Sequence, residues 1–320
     1  MILSTILFEV IFVIYFEWGV VGILYGQIIA GAFVFITLSL RNLNLYTVKF
    51  DKAMILPSLK FAIPLLPFAF LYRFESHLDK LMIERFLGLE KVGLYAILMG
   101  IVGMIAILMN AMNNSMRPFL YRSLKETSTS TNEQINSFLQ FYIFIGVLGL
   151  SGIIMIGTNL ELFTSNEKYL SIRPYFIFAA IASIPLIIVR YFTLVFIFYK
   201  KSKELTMVTV VKTIIMFLLM YILIPKYEVY GAIMAISISY FLNAIIFYFL
   251  NKKYGMPEID LIKALRIILL FIVIVLGTYY FVDSIQIVGL IQFLVVWVVL
   301  IFFSIPLIRS MSKFKIANHY

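Results

Sequence analysis

The stretch PSLKFAIPLLPFAFLYRFESHLDKLMIERFLG, residues 57–88, decides how this chain folds. It is long and apolar enough to cross a bilayer as a helix, which takes about 20 residues. Its second half nevertheless carries several ionisable side chains: Arg73, Glu75, His77, Asp79, Lys80, Glu84 and Arg85. An ionised group near the bilayer centre costs about 2.5–3.5 kcal/mol on insertion scales. These positions therefore cannot face lipid, and we expect protein or water around them.

The charges of this helix fall on two faces. At about 100° per residue, Glu75 and Asp79 stack on one side, while Arg73, His77 and Lys80 cluster on roughly the opposite side. Glu75 and Asp79 would repel each other if both were ionised, so one of them is a candidate carrier of a proton or a sodium ion. A helix that is polar on two sides must be surrounded by protein or water.

Two interpretations of these charges remain open. They could form a neutralised structural network with snorkelling ends, or they could line a water-filled substrate or ion pathway, which is the default for ionisable residues inside a membrane. We favour the pathway for Arg73, Glu75 and Asp79. Pro64 and Pro67 remove two backbone donors and predict a bend in the same helix.

The composition of the whole chain agrees with a membrane location. Of its 320 residues, 63% are hydrophobic and 13% charged, and the mean hydropathy is +1.03. Soluble domains are about 45–50% apolar and about 25% charged. These values argue against a soluble enzyme, a secreted disulfide scaffold and a nucleic-acid binder.

Motifs for catalysis and metal binding are missing from the sequence. It has no Cys and only two His, and it lacks a phosphate-binding Gly-rich loop with Lys, a His-Glu-x-x-His and a Gly-x-Ser-x-Gly. We therefore predict a protein that is not an enzyme and that carries neither a metal nor a cofactor.

Apolar blocks predict an all-α polytopic membrane protein with about ten transmembrane helices. The predicted spans are roughly 2–16, 20–40, 57–82, 92–113, 136–157, 174–198, 205–224, 230–250, 264–282 and 286–308. Seventeen Lys and Arg fall on one side of this arrangement and five on the other. Because basic residues collect at cytoplasmic helix ends, the first side and both termini are predicted to be cytoplasmic. This bias also accounts for most of the net charge of +10 without a nucleic acid.

A weak internal repeat relates two parts of the chain. Val20-x-Gly22 and Val229-x-Gly231 each open a predicted span, and the two glycines are 209 residues and six spans apart. An even number of spans gives copies of the same direction, as in transporters built from parallel repeats. The first repeat should then also have six spans, of which only the last two are present. We therefore expect the chain to be a cut through a longer protein.

Other polar residues inside the spans are less informative. Arg190 lies about 12 Å from the predicted cytoplasmic end of its helix. At that distance its side chain could either snorkel to the membrane surface or face a cavity. Lys212 lies nearer a helix end and is expected to snorkel. Asn110 and Asn113 could hold helices together or contact a substrate. His77 could relay protons or make a helix contact.

Three stretches carry a resemblance to a known family. They are LKFAIPLLP (59–67), DKLMIERFLGLEKVGLY (79–95) and NNSMRPFL (113–120). The first two resemble the seventh and eighth helices of polysaccharide-biosynthesis flippases of the O-antigen type, and the third is similar to the end of helix eight. These flippases belong to the multidrug/oligosaccharidyl-lipid/polysaccharide exporter superfamily. The resemblance is densest over residues 57–122.

The resemblance implies two six-helix lobes around a central cavity, with two further helices at the C-terminus. On that basis the first four helices are absent from this chain. The implied segments are the last two helices of an N-lobe (1–40), a cytoplasmic linker (41–56), a six-helix C-lobe (57–250), two additional transmembrane helices (264–308) and a cytoplasmic tail (309–320).

The resemblance also implies a substrate, an undecaprenyl-pyrophosphate-linked oligosaccharide moved across the bacterial cytoplasmic membrane. It implies ion-coupled alternating access, with a polysaccharide polymerase and chain-length proteins as further partners. The expected pyrophosphate and sugar contacts are Arg73, Lys80, Arg190, Asn110 and Asn113. The expected ion-coupling residues are Glu75, Asp79 and His77. Two alternatives stay open: a multidrug-type exporter of the same superfamily, and a membrane scaffold or fragment without transport activity.

Overall fold

The computed structural model describes residues 2–42, 52–125, 129–281, 291 and 293–298, and the regular elements among them are all helical. The helices are α1 (Ile2–Val10), α2 (Gly19–Arg41), α3 (Lys52–Ala62), α4 (Leu65–Leu87), α5 (Leu89–Val102), α6 (Met104–Lys125), α7 (Thr129–Thr158), α8 (Glu167–Leu170), α9 (Tyr175–Ala182), α10 (Ile184–Phe198), α11 (Ser202–Lys253) and α12 (Leu261–Phe281). The chain divides into two compact units, residues 1–58 and 59–320.

In the first unit, α1 continues as a short π-helix (Ile11–Tyr15) and then turns back into α2. The turn passes through Glu17, whose φ is +56°. Gly22 lies so close to the preceding helix that a Cβ there would be 2.9 Å from the backbone of Phe12. A residue without a side chain is thus needed for the two helices to pack at this distance.

In the second unit, α11 is a helical hairpin rather than one straight rod. Its backbone leaves the helical region at Glu228, with φ +50° and ψ −128°. A straight helix would separate Lys212 from Tyr240 by about 42 Å, yet the Lys212 Nζ lies 4.2 Å from the centre of the Tyr240 ring. A Cβ on Gly231 would lie 2.2 Å from the carbonyl oxygen of Leu223. The two antiparallel arms, 202–227 and 229–253, correspond to the spans predicted at 205–224 and 230–250.

The arms of α11 form the centre of the second unit. They pack against α4 and against α10, while α7 packs against α6, α9, α10 and α12. The interior between these helices is rich in fully buried aromatic side chains, including Tyr142, Phe176, Tyr191 and Phe247. This packing determines the direction in which the charged faces of α4, α10 and α11 point.

The prediction of an all-α polytopic membrane protein is confirmed. Six helical stretches of the described residues are long and apolar enough to cross a membrane, and the longest of them, α11, contributes two arms. Two shorter apolar helices, Ser4–Tyr15 and Leu265–Gly277, occupy the predicted spans at 2–16 and 264–282. The predicted tail lies outside the described residues, as do most of the span 286–308 and most of the linker 41–56.

The predicted loop 114–135 is largely helical. Helix α6 runs to Lys125, and α7 begins at Thr129. Met116, Leu120 and Leu124 are buried at a spacing of four residues, so the extension of α6 packs one apolar face inward, while most of its exposed positions are polar. Hydropathy averaged over a window misses such an amphipathic extension, because its mean value resembles that of a loop.

Candidate functional site

A cavity of about 420 Å³ lies within the second unit. Two interruptions in the helices border it, at Gly103 between α5 and α6 and at Ser183 between α9 and α10. Its polar lining comes from four helices or helix junctions and consists of Arg73, Glu75, Ser76, Asp79, Lys80, Ser183, Arg190 and Tyr240. Interrupted helices inside a membrane are tolerated where their backbone is covered by protein or lines a cavity.

Helix α4 supplies most of the charge in this cavity. Residues 73–80 cover about two turns of the helix, and four ionisable side chains from this stretch reach the same chamber: Arg73, Glu75, Asp79 and Lys80. Arg190 joins them from α10. The cavity therefore brings together five of the eight site residues that were predicted from sequence.

A buried ion pair joins α4 to the first arm of α11. The Lys212 Nζ lies 2.5 Å from Glu75 Oε2, and the two side chains are only 4% and 5% exposed. The Thr213 hydroxyl donates a hydrogen bond to Glu75 Oε1, and the Tyr240 ring lies over the ammonium. The prediction that Lys212 snorkels is wrong, because its side chain turns inward to a carboxylate that compensates its charge. Removing one member of such a buried pair costs about 3–5 kcal/mol.

The neighbouring carboxylate has different partners. Asp79 is buried, and its Oδ2 accepts a hydrogen bond of 3.0 Å from the Tyr95 hydroxyl of α5. Its Oδ1 accepts one of 2.8 Å from the Lys80 backbone N–H. Glu75 and Asp79 thus share a helix face as predicted, but Glu75 is paired with an ammonium, whereas Asp79 accepts two hydrogen bonds from uncharged donors. The pairing of Glu75 with Lys212 reduces the predicted repulsion between the two carboxylates.

The remaining predicted residues lie at the margin of the cavity or away from it. The Arg190 guanidinium donates a hydrogen bond of 3.0 Å to Asn110 Oδ1, so Asn110 orients a cavity residue without lining the cavity. Asn113 is buried one turn further along α6, and its Oδ1 has no hydrogen-bond partner among the described residues. His77 is exposed on α4 and does not line this cavity.

A second, smaller chamber of about 50 Å³ adjoins the first. Lys212 and Asn243 line it, and Asn243 is a buried amide whose Oδ1 has no hydrogen-bond partner among the described residues. Arg190 and Tyr240 line both chambers. Glu75 faces the large chamber and Lys212 the small one, so the ion pair lies in the partition between them.

Sequence reasoning missed Lys212, Thr213, Tyr240 and Tyr95. A signal for the first two was present. Lys212 and Thr213 lie three and four residues after Thr209, and all three side chains are buried. A polar stripe with helical spacing inside an apolar span indicates a face turned toward protein. Lys212 is better assigned to that stripe than to the helix end.

The electrostatic balance of the large chamber is positive. Three cationic side chains line it, one of its two carboxylates is neutralised by Lys212, and the other accepts a hydrogen bond from Tyr95. Among the described residues, no group of three or more His, Cys, Asp and Glu has the arrangement of a metal site. The chamber is therefore suited to an anion.

Fold and cavity together define a polytopic α-helical membrane protein with a positively charged chamber inside its helical bundle. The chain belongs to the family described as "Polysaccharide biosynthesis protein", whose family model matches residues 1–174. This confirms the family that the sequence motifs indicated.

Comparison with solved structures supports the same fold. The chain is similar to the lipid II flippase MurJ in an inward closed conformation, with a TM-score of 0.64 and 16% sequence identity. The similarity covers 97% of this chain and 66% of that protein, so the chain spans slightly less than two thirds of its length. No curated protein sequence matches the chain.

Proposed function

We propose that the chain takes part in flipping a lipid-pyrophosphate-linked oligosaccharide across the cytoplasmic membrane for surface polysaccharide synthesis, and that it is a transporter rather than an enzyme. The observation that carries the proposal is the chamber lined by Arg73, Lys80 and Arg190. Guanidinium and ammonium groups form charge-assisted hydrogen bonds with phosphate oxygens, and Arg can do so with two donors. The family and the flippase-like fold support this assignment.

The chamber has the chemistry for the polar part of such a substrate. A pyrophosphate needs cationic donors, which α4 and α10 provide. Its lipid chain would stay among apolar side chains, and Met99, Ile105 and Leu186 belong to the same lining. Asn110 and Asn113, predicted to contact sugar hydroxyls, lie on α6 next to Arg190 or one turn away. We retain them as sugar contacts of a state with a wider cavity.

Movement of the substrate would follow alternating access, as in other transporters built from repeated lobes. Residues 57–250 would form one six-helix lobe, residues 1–40 would belong to the other, and residues 264–308 would add two helices. The ion-coupling role of Glu75, Asp79 and His77 is part of this proposal. A polysaccharide polymerase and chain-length proteins are the proposed partners.

The multidrug alternative receives less support from the chamber. An exporter of organic cations needs uncompensated carboxylates or open aromatic faces in its cavity. Here the Glu75 carboxylate is paired with Lys212, and the Tyr240 ring already lies over that ammonium. The anionic substrate is the better match.

The decisive experiment reverses charge in the chamber. Arg73→Glu and Arg190→Glu, introduced singly into the chromosomal gene, should abolish or strongly reduce surface polysaccharide, because a phosphate would then meet a carboxylate. Polysaccharide is measured by gel electrophoresis of cell-surface extracts, and membrane insertion by immunoblot of membrane fractions.

The matched control is Arg85→Glu, which makes the same change at an exposed position of the same helix, outside the chamber. It should leave polysaccharide unchanged. Normal polysaccharide in the Arg73 and Arg190 variants, at normal protein levels, would contradict a pyrophosphate-binding role and would favour a scaffold without transport activity.

A further inference from the structure

The ion pair between Glu75 and Lys212 lies where two chambers meet. It lies in the partition between two chambers, with the carboxylate on the wall of the large one and the ammonium on the wall of the small one. Buried ion pairs contribute little net stability compared with apolar residues of the same size, and their best-attested use is in specificity and switching. This location suggests a pair that separates during the transport cycle.

The charge balance limits how the pair can separate. Lys212 is 4% exposed, so its ammonium needs another anion if Glu75 is withdrawn. Glu75 has the opposite requirement, because an isolated buried carboxylate avoids its charge by binding a proton. A substrate with two phosphates supplies the anion that the ammonium requires. A lysine side chain has a flexible four-carbon stem that allows such a change of partner.

The neighbouring groups favour this exchange at Glu75 rather than at Asp79. Each carboxylate accepts a hydrogen bond from a hydroxyl of another helix, Asp79 from Tyr95 and Glu75 from Thr213, but Glu75 is also paired with the Lys212 ammonium, which can leave. A phosphate held by Arg73, Lys80 and Arg190 would lie in the same chamber as the Glu75 carboxylate and would repel it. The titratable and charged groups around Glu75 are Arg73, Asp79 and Lys80 of α4, Tyr95 of α5, Arg190 of α10, and Lys212 and Tyr240 of α11.

We propose that Lys212 is an exchangeable counter-ion, which leaves Glu75 for the diphosphate of the bound substrate while Glu75 takes up one proton from the bulk solution. The proposal rests on the proposed function and adds a phosphate-binding residue and a coupling step to it. The proton bonds to a Glu75 carboxylate oxygen, and the ammonium remains protonated throughout. Substrate binding and proton uptake thereby become one linked event.

Thermodynamic linkage between proton uptake and diphosphate binding determines how the affinity changes with pH. Because the bound state holds one more proton than the free state, affinity for the diphosphate falls as pH rises, by up to about tenfold per pH unit. Without the exchange, Glu75 and Lys212 stay paired and contribute no such slope.

The test is isothermal titration calorimetry of the purified, detergent-solubilised chain with a short-chain prenyl diphosphate as the probe. Titrations at one pH in buffers of different ionisation enthalpy give the number of protons taken up on binding. The wild type should take up about one proton more than Glu75→Gln, which keeps the side-chain shape and cannot be protonated. Protonation of the probe itself is common to both proteins and cancels in the difference.

Two further variants test whether the proton uptake requires the Glu75–Lys212 pair or follows from any change of charge in this helix or chamber. Glu84→Gln removes an exposed carboxylate of the same helix, outside the chamber, and should retain the proton uptake. Lys212→Met should lower affinity at least tenfold and lose the proton uptake, because the ammonium whose departure drives the exchange is absent. If Lys212→Met does not fold, the wild type and Glu75→Gln still decide the question.

The outcomes distinguish this inference from the function on which it rests. Binding of the prenyl diphosphate with equal proton uptake in wild type and Glu75→Gln overturns the exchange and leaves the proposed function intact. Failure of the wild type to bind the prenyl diphosphate at all counts against the proposed function and removes the basis of the exchange with it.

Discussion

The hydrogen bond between Tyr95 and Asp79 is a local contact with a measurable energy. Both side chains are buried, and the hydroxyl lies 3.0 Å from Asp79 Oδ2. Tyr95→Phe leaves that oxygen without its donor, so we expect a loss of about 1–3 kcal/mol in the free energy of unfolding. The measurement is reversible denaturation in detergent, with Asp79→Asn and the double variant completing a cycle.

Tyr121→Phe provides the matched control for this prediction. The Tyr121 hydroxyl is also buried, but it has no hydrogen-bond partner among the described residues. Its removal should leave stability unchanged or raise it slightly. If both Tyr→Phe changes alter the free energy of unfolding equally, the hydrogen bond from Tyr95 to Asp79 does not stabilise the protein.

At this scale the sequence predicts intramembrane charges well and their partners poorly. Arg73, Glu75 and Asp79 could be assigned to a cavity because charge inside a hydrophobic span requires an explanation. Lys212 could not be assigned to Glu75, since the two are 137 residues apart and only the packing of α4 on α11 brings them together. Pairing across helices depends on rotation about the helix axes, which hydropathy does not encode.

Among the elements, the turn inside α11 depends on one glycine. A Cβ at Gly231 would lie 2.2 Å from the Leu223 carbonyl oxygen, a distance that requires the backbone to move. Gly231→Ala should therefore open the hairpin and destabilise the protein by about 1–3 kcal/mol. The loss would be measured as a lower midpoint of thermal unfolding in detergent.

Gly93→Ala tests whether any Gly→Ala change in these helices is harmful. A Cβ at Gly93 meets no atom within 4 Å, and Ala is the better helix former. Its melting midpoint should equal or exceed that of the wild type. A harmless Gly231→Ala would refute the close approach of the two arms.

The turn at Gly231 resembles the turn at Gly22, the other member of the repeat that the sequence indicated. Gly22 and Gly231 each contact the backbone of the preceding helix, and each follows a glutamate with positive φ, Glu17 or Glu228. The sequence pattern alone showed only two similar triplets. Their shared role in tight helical turns is a structural similarity that supports a duplication.

For the whole molecule, hydropathy and motifs were sufficient for the fold class and the family. Spans were identified because the bilayer requires about 20 apolar residues per helix. Their ends were less accurate, as the extension of α6 to Lys125 shows. The domain boundaries, the polymerase and chain-length partners and the location of the termini stay predictions.

Membrane orientation is the prediction that applies to the entire chain. The excess of Lys and Arg on one side predicts that the loop before α7 is cytoplasmic and the segment after it faces outward. Asn132 and Ser165 are exposed positions at those two ends. The sequence contains no Cys, so Asn132→Cys and Ser165→Cys each introduce a single thiol into the chain, and the unsubstituted chain is the blank. A membrane-impermeant maleimide should label Ser165→Cys in cells whose cytoplasmic membrane is intact, and Asn132→Cys only after that membrane is permeabilised. The reverse pattern would invert the orientation and place the predicted cytoplasmic tail outside.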